Sequence, residues 1–153
     1  MKAFRFRLES LLQLREISRD KALAQYAKAI NFRQLKEGEL RSRETNLKNL
    51  HSQISEKRQS SFTGSNQETF ELSIRHANEQ IIDANKHLQR SCKTEEAKKN
   101  IYLKADSSYK SLLRLKEKQF EEHFRSESLK EERDLEDVIG GRFVFNNLAN
   151  QSL

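Results

Sequence analysis

Apolar residues recur at helical spacing along almost the whole chain, in two series. The first begins at Leu23 and alternates steps of three and four residues, with several polar occupants: Leu23, Tyr26, Ile30, Arg33, Glu37, Leu40, Glu44, Leu47, His51 and Ile54. The second continues in the same way: Phe70, Ile74, Ala77, Ile81, Ala84, Leu88, Ser91, Glu95, Lys98, Tyr102, Ala105, Tyr109 and Leu112. This spacing places one stripe on a helix and is typical of coiled coils. The pattern therefore predicts two long helices.

The two series are separated by a cluster of small polar residues and glycine at residues 60–66. Such a cluster predicts a turn. Ser65 and Glu68 then have the spacing of a capping box, which marks a helix start. Gly140 and Gly141 predict the end of the second helix. The chain is thus divided into a helical coiled coil over residues 1–140 and a C-terminal tail, residues 141–153, that we predict to be flexible.

Two long helices joined by one short turn are expected to pack antiparallel. If the chain folds back about Gly64, positions whose numbers add up to 128 face each other, as Tyr26 and Tyr102 do. Arg33 then faces Glu95. Residues 2–28 carry a net charge of +4 and residues 114–137 a net charge of −3, which favours the same pairing. The predicted fold is all-α: an antiparallel coiled-coil hairpin, roughly 80 Å long at 1.5 Å per residue, with its turn near residues 60–66.

The composition agrees with a thin helical seam rather than a thick core. The chain has no proline, four glycines, 34% charged residues and only 35% hydrophobic residues. Full disorder shares low hydrophobicity and high charge, but the apolar residues here are periodic. A single cysteine, Cys92, fits a reducing compartment. No apolar stretch approaches 18 residues, so we expect no insertion into a membrane.

No motif for catalysis or cofactor binding is present. The four histidines are never three or four residues apart, and no Glu-x-x-His pair occurs: His51, His76, His87 and His123. The glycines form neither phosphate-binding loop. We therefore expect no enzyme activity, no cofactor and no metal. Aromatic and aliphatic strips that a two-helix seam cannot cover completely are instead expected to serve as docking surfaces.

The net charge of +6 raises nucleic acid as a possible partner. Charges of both signs are interleaved along the chain, which more often indicates solvated helix faces. A nucleic-acid-binding coiled coil would need a contiguous cationic face and would bind with a steep salt dependence. We expect no nucleic-acid partner and keep this function as an alternative.

Residues 4–15, Phe-Arg-Phe-Arg-Leu-Glu-Ser-Leu-Leu-Gln-Leu-Arg, resemble the signature F-x-F-x-L-x-x-L-L-x-x-R that opens the flagellar FliJ family. Residues 113–118 and 134–137 look like the end of that family's second helix. The resemblance implies a non-catalytic stalk and adaptor of the flagellar type III export apparatus. Its partners would be the hexameric export ATPase, the cytoplasmic domain of the export gate and export chaperones. It would act in the cytoplasm, associated peripherally with the inner membrane at the flagellar base. The equivalent stalk of a virulence-type secretion system is the alternative in the same class.

The resemblance also implies two contact regions. The paired ends of the helices would bind the ATPase through Phe4, Arg5, Arg7, Leu8, Leu11, Leu12, Arg15, Phe124, Arg125, Arg133 and Leu135. A strip near the turn would bind the export gate through Leu47, Leu50, Ile54, Phe70, Ile74, Ala77 and Ile81. For both groups the alternative is that the side chains only pack the seam.

Overall fold

The computed structural model describes residues 1–61 and 63–152, which form two α-helices and no strand. Helix α1 covers Glu9–Ser60, and helix α2 covers Gly64–Gln151. The two helices pack against each other as a helical hairpin, so the predicted all-α fold is confirmed. The predicted turn lies between them, although Phe62 is outside the described residues.

The start of α2 differs from the prediction. The backbone N–H of Asn66 donates to Oγ1 of Thr63 over 3.4 Å, which is the contact of an N-cap residue. Ser65 lies inside the helix, where its carbonyl oxygen accepts a hydrogen bond from the hydroxyl of Thr69. The predicted capping box of Ser65 and Glu68 is therefore wrong, because the hydroxyl of Thr63 already satisfies a free amide of the first turn.

The chain forms two compact units. One, which we call the turn unit, is the continuous segment of residues 18–105. The other, the terminal unit, combines residues 1–17 with the part of α2 that begins at residue 106.

Small residues occupy several buried positions in the seam of the turn unit. Ala22 and Ala29 of α1 and Ala84 of α2 are buried, whereas Leu23 is 45% exposed. The predicted seam position of Leu23 is therefore wrong: the alanines let the helices approach closely, and the leucine is displaced to the flank. The predicted pairing of Tyr26 with Tyr102 is confirmed, since their rings stack with centroids 6.1 Å apart.

In the terminal unit, α2 is partnered by the first turns of α1 and by the non-helical residues 1–8. Phe6, Leu12 and Leu112 are buried together and form its core. Phe4, Tyr109 and Leu113 pack against this core and are partly buried.

The far end of α2 continues through Gly140 and Gly141 to Gln151. Neither glycine has a positive φ, and glycine ends a helix chiefly by adopting that left-handed conformation. The predicted helix end at these glycines is therefore wrong. Every described residue after Ser128 is exposed. The flexibility of residues 141–153 stays a prediction, and Leu153 lies outside the described residues.

Candidate docking site

The first residues of the chain are fixed to α2 by three polar contacts. The amino group of Met1 lies 3.2 Å from Oε1 of Glu131. The backbone N–H of Lys2 donates to Oε2 of Glu127 over 3.4 Å, and Nε2 of His123 donates to the carbonyl oxygen of Lys2 over 2.8 Å. The non-helical N-terminal segment thus takes the place of a partner helix for this part of α2.

Glu127 is the one carboxylate among these residues that is nearly buried, with 9% of its surface exposed. Its pKa is lowered below the ordinary value, first by the hydrogen bond from the backbone of Lys2 and then by the charges of Lys130 and His123. Burial opposes this shift. Glu127 is therefore a stable carboxylate at neutral pH and can hold the N-terminal segment in place.

Aromatic rings fill the space between the N-terminal segment and α2. The ring of Phe4 meets that of Phe120 edge to face, with centroids 5.4 Å apart, and lies 5.6 Å from the ring of His123. Edge-to-face packing of this kind is favourable beyond the area that it buries. Phe120 nevertheless stays 51% exposed, so half of its surface is available to a partner.

A groove of about 690 Å³ opens beside these rings. Its lining combines apolar side chains with two basic and two acidic ones: Phe4, Arg5, Phe6, Glu9, Leu113, Lys116, Glu117 and Phe120. Nζ of Lys116 lies 2.8 Å from Oε2 of Glu9, so an ion pair bridges the N-terminal side and α2. Protein-binding surfaces commonly combine apolar and charged side chains in this way.

Two shallower depressions follow along α2. Phe120, Phe124 and Arg125 line the first, of about 340 Å³, together with Glu121 and Ser128. Arg125 and Arg133 line the second, of about 380 Å³, with Glu122, Ser126, Leu129 and Lys130. Phe124 is 52% exposed. The groove and both depressions together form a surface that we call the docking surface.

The structure brings together part of the residue set that the sequence assigns to ATPase binding. Phe4, Arg5, Phe124, Arg125 and Arg133 line the docking surface. The other predicted members have different surroundings. Leu12 is buried in the core, Arg15 donates to the carbonyl oxygen of Ser108, and the rest are exposed: Arg7, Leu8, Leu11 and Leu135.

Several residues of this surface are absent from the predicted set. Phe6 is buried, and its position in the Phe-x-Phe alternation is the signal that indicates this role. Phe120 and Lys116 line the groove because they face the N-terminal segment across the seam. His123 and Glu127 hold that segment through its backbone, and no sequence pattern announces such contacts.

The strip predicted to bind the export gate lies in the seam of the turn unit. Ile54 is 3% exposed. The other members are half-buried: Leu47, Leu50, Phe70, Ile74, Ala77 and Ile81. Ile74 also lines a shallow groove of about 480 Å³ with Glu71, Arg75, Asn78, Glu79 and Ile82. The strip therefore packs the hairpin and leaves one edge accessible on α2.

Among the described residues, no group of three or more histidine, cysteine or acidic side chains is placed to hold a metal ion. Neither described helix contains a stretch that is apolar and long enough to cross a lipid bilayer. The described residues thus form a helical hairpin whose terminal unit carries a groove lined by apolar and charged side chains.

A comparison with known protein families identifies the family to which the chain belongs. The family model described as flagellar FliJ protein matches residues 4–144, nearly the whole chain. The chain therefore belongs to the flagellar FliJ family, a non-catalytic component of flagellar protein export. No curated protein and no solved structure matches it.

Proposed function

We propose that this chain is a stalk and adaptor of the flagellar type III export apparatus that binds the hexameric export ATPase through its docking surface. The observation that carries the proposal is the groove beside Phe120, where apolar rings and opposite charges meet between the N-terminal segment and α2. Exposed aromatic residues in a charged frame are typical anchors of protein interfaces. The chain hydrolyses no ATP itself, stimulates the ATPase and promotes assembly of its ring.

The continuation of α2 beyond Ser128 extends this interface. Large apolar side chains there are half or more exposed, among them Leu135, Val138 and Phe145. A narrow helix inside a ring of six subunits contacts those subunits unequally, because it has no sixfold symmetry. Unequal contacts provide a physical route by which the stalk biases the subunits toward different states.

The accessible edge of the turn-unit strip, around Ile74, is proposed to bind the cytoplasmic domain of the export gate. Export chaperones are further partners. With these partners, the proposed site of action is the cytoplasm, at the inner face of the membrane beneath the flagellum. Binding of the purified gate domain to Ile74→Ala, compared with the exposed neighbour change Leu72→Ala, tests this assignment. Equal binding by the two variants would contradict it.

The ATPase contact is tested with the double variant Phe120→Ser and Phe124→Ser. We expect it to keep its helicity, since both side chains are about half exposed, and to lose most of the stimulation of ATP turnover. The matched control is Leu35→Ser with Leu103→Ser, which alters two exposed apolar residues of the turn unit. Full stimulation by the Phe120 and Phe124 variant would refute the proposed site.

A further inference from the structure

The net charge of the protein is concentrated in the turn unit. Residues 18–105 contain 17 basic and 11 acidic side chains, whereas the remaining residues contain 12 of each. The excess is sharper in residues 18–36 of α1 and residues 86–105 of α2. They hold 11 basic and three acidic side chains.

The helical register places many of these basic side chains on one side of the hairpin and the acidic side chains on the other. Lys21 and Lys28 directly precede the buried Ala22 and Ala29 of α1. On α2, Arg90 and Lys104 directly precede the seam residues Ser91 and Ala105, and Lys98 lies in the same series as Ser91. In an antiparallel coiled coil, these corresponding positions of the two helices lie on one side of the seam. We call this side the cationic face, defined by Lys21, Lys28, Arg90, Lys98 and Lys104.

Contacts in the neighbouring part of the turn unit confirm that the two helices share this side. Lys36 and Arg43 lie in the same series on α1 as Ala22 and Ala29. Nη1 of Arg43 donates to Oε1 of Gln80 on α2 over 3.4 Å. Lys36, Arg43 and Gln80 line one shallow groove, together with Glu39, Asp83, Ala84 and His87. The acidic side chains of Glu39 and Asp83 mark the boundary of the cationic face on the side of the turn.

The acidic side chains of the two segments lie on the other side. Glu95 pairs with Arg33 at the opposite edge of the seam. Glu96 follows Glu95 directly, and Asp20 follows Arg19, which lies in the same series as Arg33. Among the described residues, no carboxylate forms an ion pair with any of the five cations of the cationic face.

Exposed apolar side chains lie between these cations. By the same register, Phe32 and Leu35 of α1 and Ile101 of α2 belong to the cationic face, and they are 51%, 58% and 53% exposed. The ammonium group of Lys36 lies 5.2 Å from the centre of the Phe32 ring. The face thus combines unpaired positive charge with apolar groups that are not covered by the hairpin.

We infer that the cationic face binds directly to the surface of an anionic lipid bilayer, with the hairpin lying flat on it. Lysine and arginine meet lipid phosphates, while exposed apolar side chains enter the boundary between headgroups and acyl chains. A nucleic acid fits less well, because single strands require several stacking aromatic rings and the face offers chiefly the ring of Phe32. The contact is independent of the proposed ATPase docking surface, which lies in the terminal unit.

The experiment measures sedimentation of the full-length protein with vesicles that contain 30% phosphatidylglycerol in phosphatidylcholine. The face variant is Lys28→Glu, Arg90→Glu and Lys104→Glu. The matched control, Arg41→Glu, Lys48→Glu and Lys99→Glu, changes three exposed cations on the other side and gives the same net charge. Circular dichroism checks that both variants remain helical.

Each cation near an anionic surface raises partitioning about fivefold, so the face variant should bind about 100-fold more weakly than the wild type. The affinity of the control variant for the vesicles should stay within a few fold of the wild-type affinity. Binding of the wild type should fall when the salt concentration is raised from 50 to 500 mM. Equal losses in the two variants would overturn the inference. It would also be overturned if the protein bound pure phosphatidylcholine equally well, or bound a 20-base-pair DNA duplex and no vesicle. None of these results depends on stimulation of the ATPase, so this test and that of the proposed function can fail separately.

Discussion

Arg33 of α1 and Glu95 of α2 pair across the seam of the turn unit, with Nε of Arg33 donating to Oε2 of Glu95. Nη1 of the same guanidinium lies 2.6 Å from Oε1 of Glu37. The two carboxylates raise the pKa of Arg33, with Glu37 the larger cause. The alanine and leucine layers of a seam can slide by one heptad at small cost, whereas a polar layer can be satisfied only in one alignment. We therefore interpret Arg33 and Glu95 as the pair that fixes the register of the hairpin.

This interpretation predicts an order of stabilities. Arg33→Met leaves two carboxylates facing each other without a cation, whereas Glu95→Met leaves Arg33 paired with Glu37. We expect the melting temperature to fall more in Arg33→Met than in Glu95→Met, and to recover in part in the double variant. Thermal unfolding followed by circular dichroism measures all four proteins. Additive effects of the two changes would show that the pair does not act as a unit.

Glu127 predicts how the N-terminal segment responds to acid. Its folded-state pKa is lowered, so its contribution to stability is present above its unfolded pKa, near the ordinary value of 4.5, and is lost as the pH falls through the folded pKa. We expect the backbone amide of Lys2 to lose protection progressively below about pH 5. The comparison of wild type with Glu127→Gln by NMR checks this. In Glu127→Gln, the backbone amide of Lys2 should be less protected from exchange at pH 7 than in the wild type. Its protection should also change little as the pH is lowered.

The core of the terminal unit is so small that truncating one leucine should lower its stability clearly. Leu12 and Leu112 are 5% and 6% exposed and lie in one cluster. Leu12→Ala or Leu112→Ala should lower the free energy of unfolding by about 2–3 kcal/mol, at the low end of the usual range because a thin seam can relax. Leu14, which is 63% exposed, is the control, and its change to alanine should stay within about 0.5 kcal/mol. Urea unfolding measures these free energies. If Leu12→Ala or Leu112→Ala lowered the free energy of unfolding as little as Leu14→Ala does, the assignment of Leu12 and Leu112 to the core would be contradicted.

Gly38 offers a substitution that should stabilise the protein. It lies within α1, and a Cβ atom at this position would meet nothing within 4 Å. Gly38→Ala should therefore raise the free energy of unfolding by about 1 kcal/mol, the difference in helix propensity. Chemical unfolding gives the comparison. A decrease would indicate that the glycine is needed for a close contact.

A feature of the fold could be predicted from the sequence when it follows from the heptad spacing of the residues, and could not when it depends on packing. The facing of Tyr26 with Tyr102 follows from two unbroken heptad series and one turn, and the structure confirms it. The choice of Ala22 over Leu23 for the seam does not follow, because both positions fit a helical stripe and only packing decides between them. The prediction that α2 ends at Gly140 and Gly141 fails for a related reason: two glycines permit a left-handed cap but do not require one.

Two helices, their antiparallel pairing and the family signature at residues 4–15 can all be inferred from the chain before it folds, because each depends only on the spacing of residues along it. Tertiary packing creates the docking surface, since His123 and Glu127 bind the backbone of Lys2, and such backbone contacts carry no sequence signal. It also decided which side of the hairpin is cationic, because that depends on which face of each helix the alanine seam turns inward.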